Sequence, residues 1–212
     1  MHQFIYLHGF ASSPNSTKAK YLWDSLKERN INLRVPDLNQ GDFSSLTITR
    51  QLKQVVSEFS RDGKDITLIG SSLGGLTAAH LAEQYTQVKR LVLLAPAFDF
   101  LSHWLAALGA DKIARWQKEK YTLVYHYLEK KELPLHYQFI TDAAQYQEKK
   151  LQRSIPTLML HGKSDEVIPI QASRDFASQR PWVKLIELDS DHSLSNSMTR
   201  IWQGIQLFCH IP

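Results

Sequence analysis

Gly70-Ser71-Ser72-Leu73-Gly74 constrains this chain more than any other stretch. It fits G-x-S-x-G, the pattern in which a serine sits at the apex of a sharp strand-to-helix turn. Strand end and helix start nearly touch in such a turn, so its flanks must lack a Cβ. Gly70 and Gly74 meet that need, and Gly75 lets the new helix pack close. The surroundings agree. Asp65-Ile66-Thr67-Leu68-Ile69 is a short, apolar, β-branched run that reads as a buried strand. Residues 76–84 are rich in helix formers. The motif therefore predicts an elbow that leaves Ser72 exposed at the top of a sheet.

Strand-like and helix-like segments alternate along most of the chain. Strands are expected at 3–7, 31–35, 66–69, 90–94, 157–160 and 183–187, and helices at 17–29, 45–60, 73–84, 172–177 and 194–208. Runs such as Leu91-Val92-Leu93-Leu94 have no polar alternation, as expected of strands covered on both faces of a parallel sheet. The predicted class is α/β: a mainly parallel sheet of about six strands with helices on both faces. Ser16 offers an N-cap to the first helix. Roughly sixty residues between Ala95-Pro96-Ala97 and Ile155-Pro156 hold no clear strand. They predict a helical cap insertion at about 99–152 in a chain that is otherwise one domain. Trp104, Trp116, Tyr121, Tyr125, Tyr127, Tyr137, Phe139 and Tyr146 fall in it. Most should pack the insertion onto the sheet, and a few should face a ligand pocket.

A serine hydroxyl needs a base within hydrogen-bond reach, and the base needs a carboxylate behind it. His192 lies in a polar loop, Asp189-Ser190-Asp191-His192-Ser193, between the last predicted strand and the last helix. In open α/β sheets that is the end where ligands bind. The preceding strand runs into His161-Gly162-Lys163-Ser164-Asp165-Glu166, which offers Asp165 as the carboxylate, then Glu166; Asp191 is the third choice. The order serine, acid, histidine belongs to one serine-hydrolase fold and not to the others. Oxyanion donors are expected from the backbone N–H of Leu73 and from that of Phe10 in His8-Gly9-Phe10-Ala11-Ser12-Ser13-Pro14, with His8 in a structural role.

The first motif with Ser16, Lys18 and Ala19, the Gly70–Gly75 stretch, His161-Gly162-Lys163-Ser164-Asp165 and Asp191-His192 together resemble the α/β-hydrolase superfamily, in particular its small YqiA/YcfP-type esterase group. Tyr137-Gln138-Phe139-Ile140 and Ser190-Asp191-His192 are also similar to an acyl-protein thioesterase of mitochondria. The resemblance implies the α/β-hydrolase fold and hydrolysis of carboxylic esters or thioesters without a cofactor. Amide, lactone and C–C hydrolysis use the same groups. A non-catalytic binding or scaffold protein of this fold is the reading from another class.

Composition closes off other functions. No apolar run approaches the length of a membrane span. The histidines are scattered without metal-ligand spacing, and no phosphate-cradling glycine motif occurs. The formal charge of +4 comes mostly from residues 111–153, where nine basic and six acidic side chains are mixed in sign, a solvated surface and not a nucleic-acid stripe. Cys209 has no disulfide partner and an apolar context, so an inert buried thiol is expected. With an N-terminus that reads as a strand and not a signal peptide, a reducing, cytoplasmic setting follows, with a small-molecule substrate as the partner.

Overall fold

The protein is described from a computed structural model, over residues 2–212. Six strands form one parallel sheet: β1 (Gln3–Leu7), β2 (Leu33–Arg34), β3 (Ile66–Ser71), β4 (Val88–Leu94), β7 (Thr157–Gly162) and β8 (Val183–Leu188), in the order β2-β1-β3-β4-β7-β8. Side chains alternate faces along each strand, which divides the core in two. Ile5, Leu7, Leu68, Leu91, Leu93 and Met159 face α2 (Ile48–Ser57) and α3 (Leu73–Gln84). Phe4, Tyr6, Ile69, Val92, Leu158 and Leu160 face α1 (Thr17–Lys27) and α8 (Met198–Cys209). The remaining helix between sheet strands, α7 (Ile170–Ser178), packs Phe176 on the first face. The strands are apolar on both sides because both sides are covered.

Helix starts follow local chemistry. Ser16 caps α1 by accepting from the Ala19 N–H at 3.4 Å. Thr47 caps α2 by accepting from Arg50 N–H at 3.0 Å. That cap begins α2 later than residue 45, because Asp42 ties up Ser44 and Ser45 in a turn. Cys209 is buried, and burial pushes its thiol up to about 11, in keeping with an inert role.

The insertion departs from expectation. It carries α4 (Phe100–Leu108), α5 (Ala110–Glu119) and α6 (Gln138–Ala143), but also a hairpin of β5 (Tyr121–His126) and β6 (Lys131–His136). The purely helical cap is thus corrected. The alternation of β5 is hidden in sequence because its outward positions are apolar: Tyr121, Leu123 and Tyr125 are exposed, while Thr122 and Val124 are half-buried and His126 is buried. Pro134 sits in β6, where it costs little because the ribbon has only two strands. Trp116 pins α5 to the hairpin, its Nε1 donating to Leu135 O at 2.9 Å. Asp142 of α6 accepts from Thr49 N–H at 3.0 Å, which fastens the insertion to the first turn of α2.

His80, on α3, packs edge-on against Tyr146 at 5.0 Å, and its Nε2 has no partner among the described residues. Burial, aided by the Lys150 charge, lowers its pKa to about 4. An unfolded histidine titrates near 6.5. As pH falls below that value, the unfolded chain takes a proton that the folded chain refuses. Stability is therefore lost between about pH 6.5 and 4, by about 3 kcal/mol over the window. His80→Leu should flatten the difference in urea midpoint between pH 7 and pH 4.5. An unchanged difference would mean that His80 accepts its proton at no cost.

Candidate active site

The sheet order changes direction at β1, with β2 on one side and β3 on the other. In open α/β sheets the crevice beyond the strand ends at such a point is where ligands bind. Two motifs meet there. The turn after β1 presents Gly9 and Phe10, and the turn after β3 presents Ser72.

Ser72 has φ 52° and ψ −120°, a left-handed-side conformation that a non-glycine residue holds only under constraint. The constraint is visible. Its N–H donates to Leu94 O at 2.9 Å, and its carbonyl accepts from Gly75 N–H at 2.8 Å and Ala97 N–H at 3.1 Å. A Cβ on Gly70 would strike the backbone of Gly74, and one on Gly74 would lie 2.5 Å from His8 O and closer still to Leu7 O. The two outer glycines of the motif are there for clearance.

His192 stands across from Ser72, its Nε2 3.1 Å from Ser72 Oγ and its Nδ1 2.7 Å from Asp165 Oδ2. The carboxylate fixes the tautomer: Nδ1 carries the proton, so Nε2 accepts from the serine hydroxyl. Asp165 is buried, and its Oδ1 accepts from the N–H groups of Val167 and Ile168 at 2.9 and 2.8 Å. Burial alone would raise its pKa, but the hydrogen bonds from His161, His192 and Ile168 outweigh it and hold the carboxyl well below the usual range.

Neither of the two other carboxylates bonds to His192. Glu166 is exposed, and Asp191 spends Oδ1 on the N–H groups of Ser193 and Leu194 to shape the histidine loop. Lys18 of α1 braces the same loop by donating to Ser193 O at 2.6 Å. Neither the Phe10 nor the Leu73 N–H has an acceptor among the described residues, and both border the cleft over Ser72. His8 is a loop brace, as expected: Nδ1 lies 3.0 Å from Gly9 O, and Nε2 accepts from Leu38 N–H at 3.0 Å.

The cleft holds about 400 Å³ and is lined by Phe10, Phe100, Trp104 and Phe139, with His103 and Glu166 among its polar members. The rings interlock, with Phe10 5.7 Å from Trp104 and 5.3 Å from Phe139. Part of the expected split among the insertion aromatics holds, but three of them neither pack on the sheet nor face the cleft. Trp104 and Phe139 face the cleft, Trp116 is core, and Tyr121, Tyr125 and Tyr127 point outward. Phe100 was not singled out in the sequence, because one phenylalanine at the start of an apolar helix looks like packing. A larger cleft of about 670 Å³ lies between the hairpin and the residue 37–44 loop, but none of Ser72, Asp165 and His192 lines it. No cluster of three or more metal-ligating side chains occurs among the described residues.

This fold, with a serine, histidine and carboxylate in line at the strand ends, defines an α/β hydrolase. Residues 3–209 match the uncharacterised protein family UPF0227, and the chain belongs to that family. It is 27% identical over 186 residues to the palmitoyl-protein thioesterase ABHD10 of mouse mitochondria, covering 82% of this chain and 62% of the relative. The chain thus spans about three fifths of that relative's length. A structure from Agrobacterium vitis S4 superposes with a TM-score of 0.86 at 23% identity, covering all of this chain and 88% of the other. Mouse ABHD10 superposes at 0.79 with 25% identity, over 99% of this chain and 87% of that one. Est1E of Butyrivibrio proteoclasticus, solved with ferulic acid, also scores 0.79, at 19% identity over 99% and 88%. No helix among the described residues is long and apolar enough to cross a membrane.

Proposed function

We propose that this protein is a serine hydrolase of small carboxylic esters or thioesters, working through an acyl-enzyme. The observation that carries the reading is the continuous line Ser72 Oγ, His192 Nε2, His192 Nδ1, Asp165 Oδ2, at 3.1 and 2.7 Å. His192 Nε2 takes the hydroxyl proton as Ser72 Oγ attacks the acyl carbonyl. Asp165 holds the imidazole and stabilises the imidazolium. The N–H groups of Phe10 and Leu73 receive the oxyanion. His192 then gives its proton to the departing alcohol or thiol. Water deprotonated by the same nitrogen attacks the acyl-enzyme, and Ser72 leaves with the proton back on Oγ.

The aromatic cleft favours an apolar acyl or aryl group beside Ser72. The thioesterase among the relatives makes acyl thioesters a substrate class to try beside simple esters. The insertion serves as a cap that excludes water from the acyl group. The setting is cytoplasmic, with a single buried thiol and no disulfide.

The test is p-nitrophenyl ester hydrolysis, acetate to palmitate, with fluorophosphonate labelling read by intact mass and peptide mapping. The expected result is ester turnover and a single adduct on Ser72. An adduct on another residue, or neither turnover nor adduct, would sink the reading.

A further inference from the structure

His161 takes no part in the steps above, yet it touches the acid of the triad. It is fully buried at the end of β7, with Nε2 3.0 Å from Asp165 Oδ2 and 2.9 Å from Ile168 O. Both neighbours are acceptors, so Nε2 must carry a proton. On the other side, Nδ1 lies 2.7 Å from Ser173 Oγ on α7. One ring thus ties a strand, the loop that presents Asp165 and the helix beyond it. Without His161, Oδ2 would answer to His192 alone, and the carboxylate would be held only by the two backbone N–H groups on Oδ1.

We infer that His161 is a positioning residue for the hydrolase, donating from Nε2 to Asp165 Oδ2 so that the carboxylate meets His192 in one orientation and with part of its charge already bound. The inference rests on the serine-hydrolase reading. Its local logic is electrostatic. A carboxylate that shares its charge with a second donor pulls less strongly on the imidazolium it faces. The charged groups around the cluster are few. Lys18 reaches in from α1, Asp191 and Glu166 flank it in their loops, and Glu187 of β8 sits in register with His161 but is paired to Arg174. None of these replaces a donor on Oδ2.

His161→Leu should lower kcat about tenfold to a hundredfold, the worth of one hydrogen bond to a charged group, and leave KM within about twofold. The acid limb of kcat/KM should move to higher pH. His161→Gln keeps an N–H donor on a side chain of similar reach and should restore most of kcat and the position of that limb. Ser173→Ala, which only frees the far side of the ring, should move the limb the same way by less.

Nitrogen NMR of histidine in the wild-type protein gives a readout that needs no variant to fold. It should show Nε2 of His161 protonated across neutral pH. An unprotonated Nε2 overturns the proposal. So does a His161→Leu protein with wild-type kcat and acid limb, or one whose loss of kcat leaves the limb in place and is not rescued by glutamine. Full activity of Ser72→Ala would instead sink the hydrolase reading, while the NMR result would still report the His161–Asp165 contact.

Discussion

Ser72→Ala, His192→Ala and the double variant are expected to hydrolyse an activated ester at one shared residual rate, about 10⁶-fold below wild type in kcat. The reason is that the two groups do one job. Ser72 Oγ is a nucleophile only while Nε2, 3.1 Å away, can take its proton, and the later proton transfers by Nε2 occur only after that attack. Removing either removes the whole covalent route, so the second substitution has nothing left to cost. The residue of rate comes from the oxyanion donors and the cleft, which remain in place. Asp165→Asn should fall less, by about 10⁴-fold, because an amide in place of the carboxylate turns the imidazole to the wrong tautomer without moving it. Steady-state kinetics on the four proteins checks the pattern. Effects that multiply would show that Ser72 and His192 act in separate steps, and the line of hydrogen bonds would then be a structural feature only.

Much of this site was legible because its constraints are local. The elbow needs glycines at fixed offsets around Ser72, so the sequence carries it as a word. The choice of His192 followed from its place after the last strand, and that of Asp165 from its place after the one before, since topology sends all those loops to one edge. What stayed hidden depends on contacts between distant segments. Nothing in His161-Gly162-Lys163-Ser164-Asp165 says that the histidine ring turns back onto the aspartate. The hairpin was missed for a different reason. The outward face of β5 is as apolar as its inward one, so its two-residue period carries no change of polarity to detect, and Pro134 interrupts the strand pattern of β6. Gly162 belongs to the hidden class as well. A Cβ there would lie 2.5 Å from Asp191 O and closer still to Ser190 O, in the loop that holds His192, a contact between residues far apart in the chain.

Gly74→Ala should lower stability by about 3 kcal/mol or more, the upper end of what overpacking costs, because the atoms in the way are backbone and cannot change rotamer. The added Cβ would press on the carbonyls of Leu7 and His8. Leu7 is the last residue of β1, in register with Gly70, and His8 leads into the turn that carries Phe10. Relief requires α3 to back away from the sheet or the Phe10 turn to shift. The first loosens the core between α3 and β1. The second carries off one oxyanion donor, which alone is worth about 10²- to 10³-fold in kcat. Gly204→Ala is the internal control. It lies within α8, and its Cβ would meet Leu158, Leu160 and Ile186 methyls at 3.6, 3.7 and 4.0 Å, ordinary contacts. Alanine in a helix interior is better than glycine by about 0.8–1.0 kcal/mol, so that variant should be neutral or stabilised. Urea melts of the two proteins, with ester turnover measured on each, separate tight geometry from mere loss of a glycine. Wild-type stability and turnover in Gly74→Ala would mean that strand and helix at the elbow have room to part, and that the strain at Ser72 is not what holds its hydroxyl beside His192.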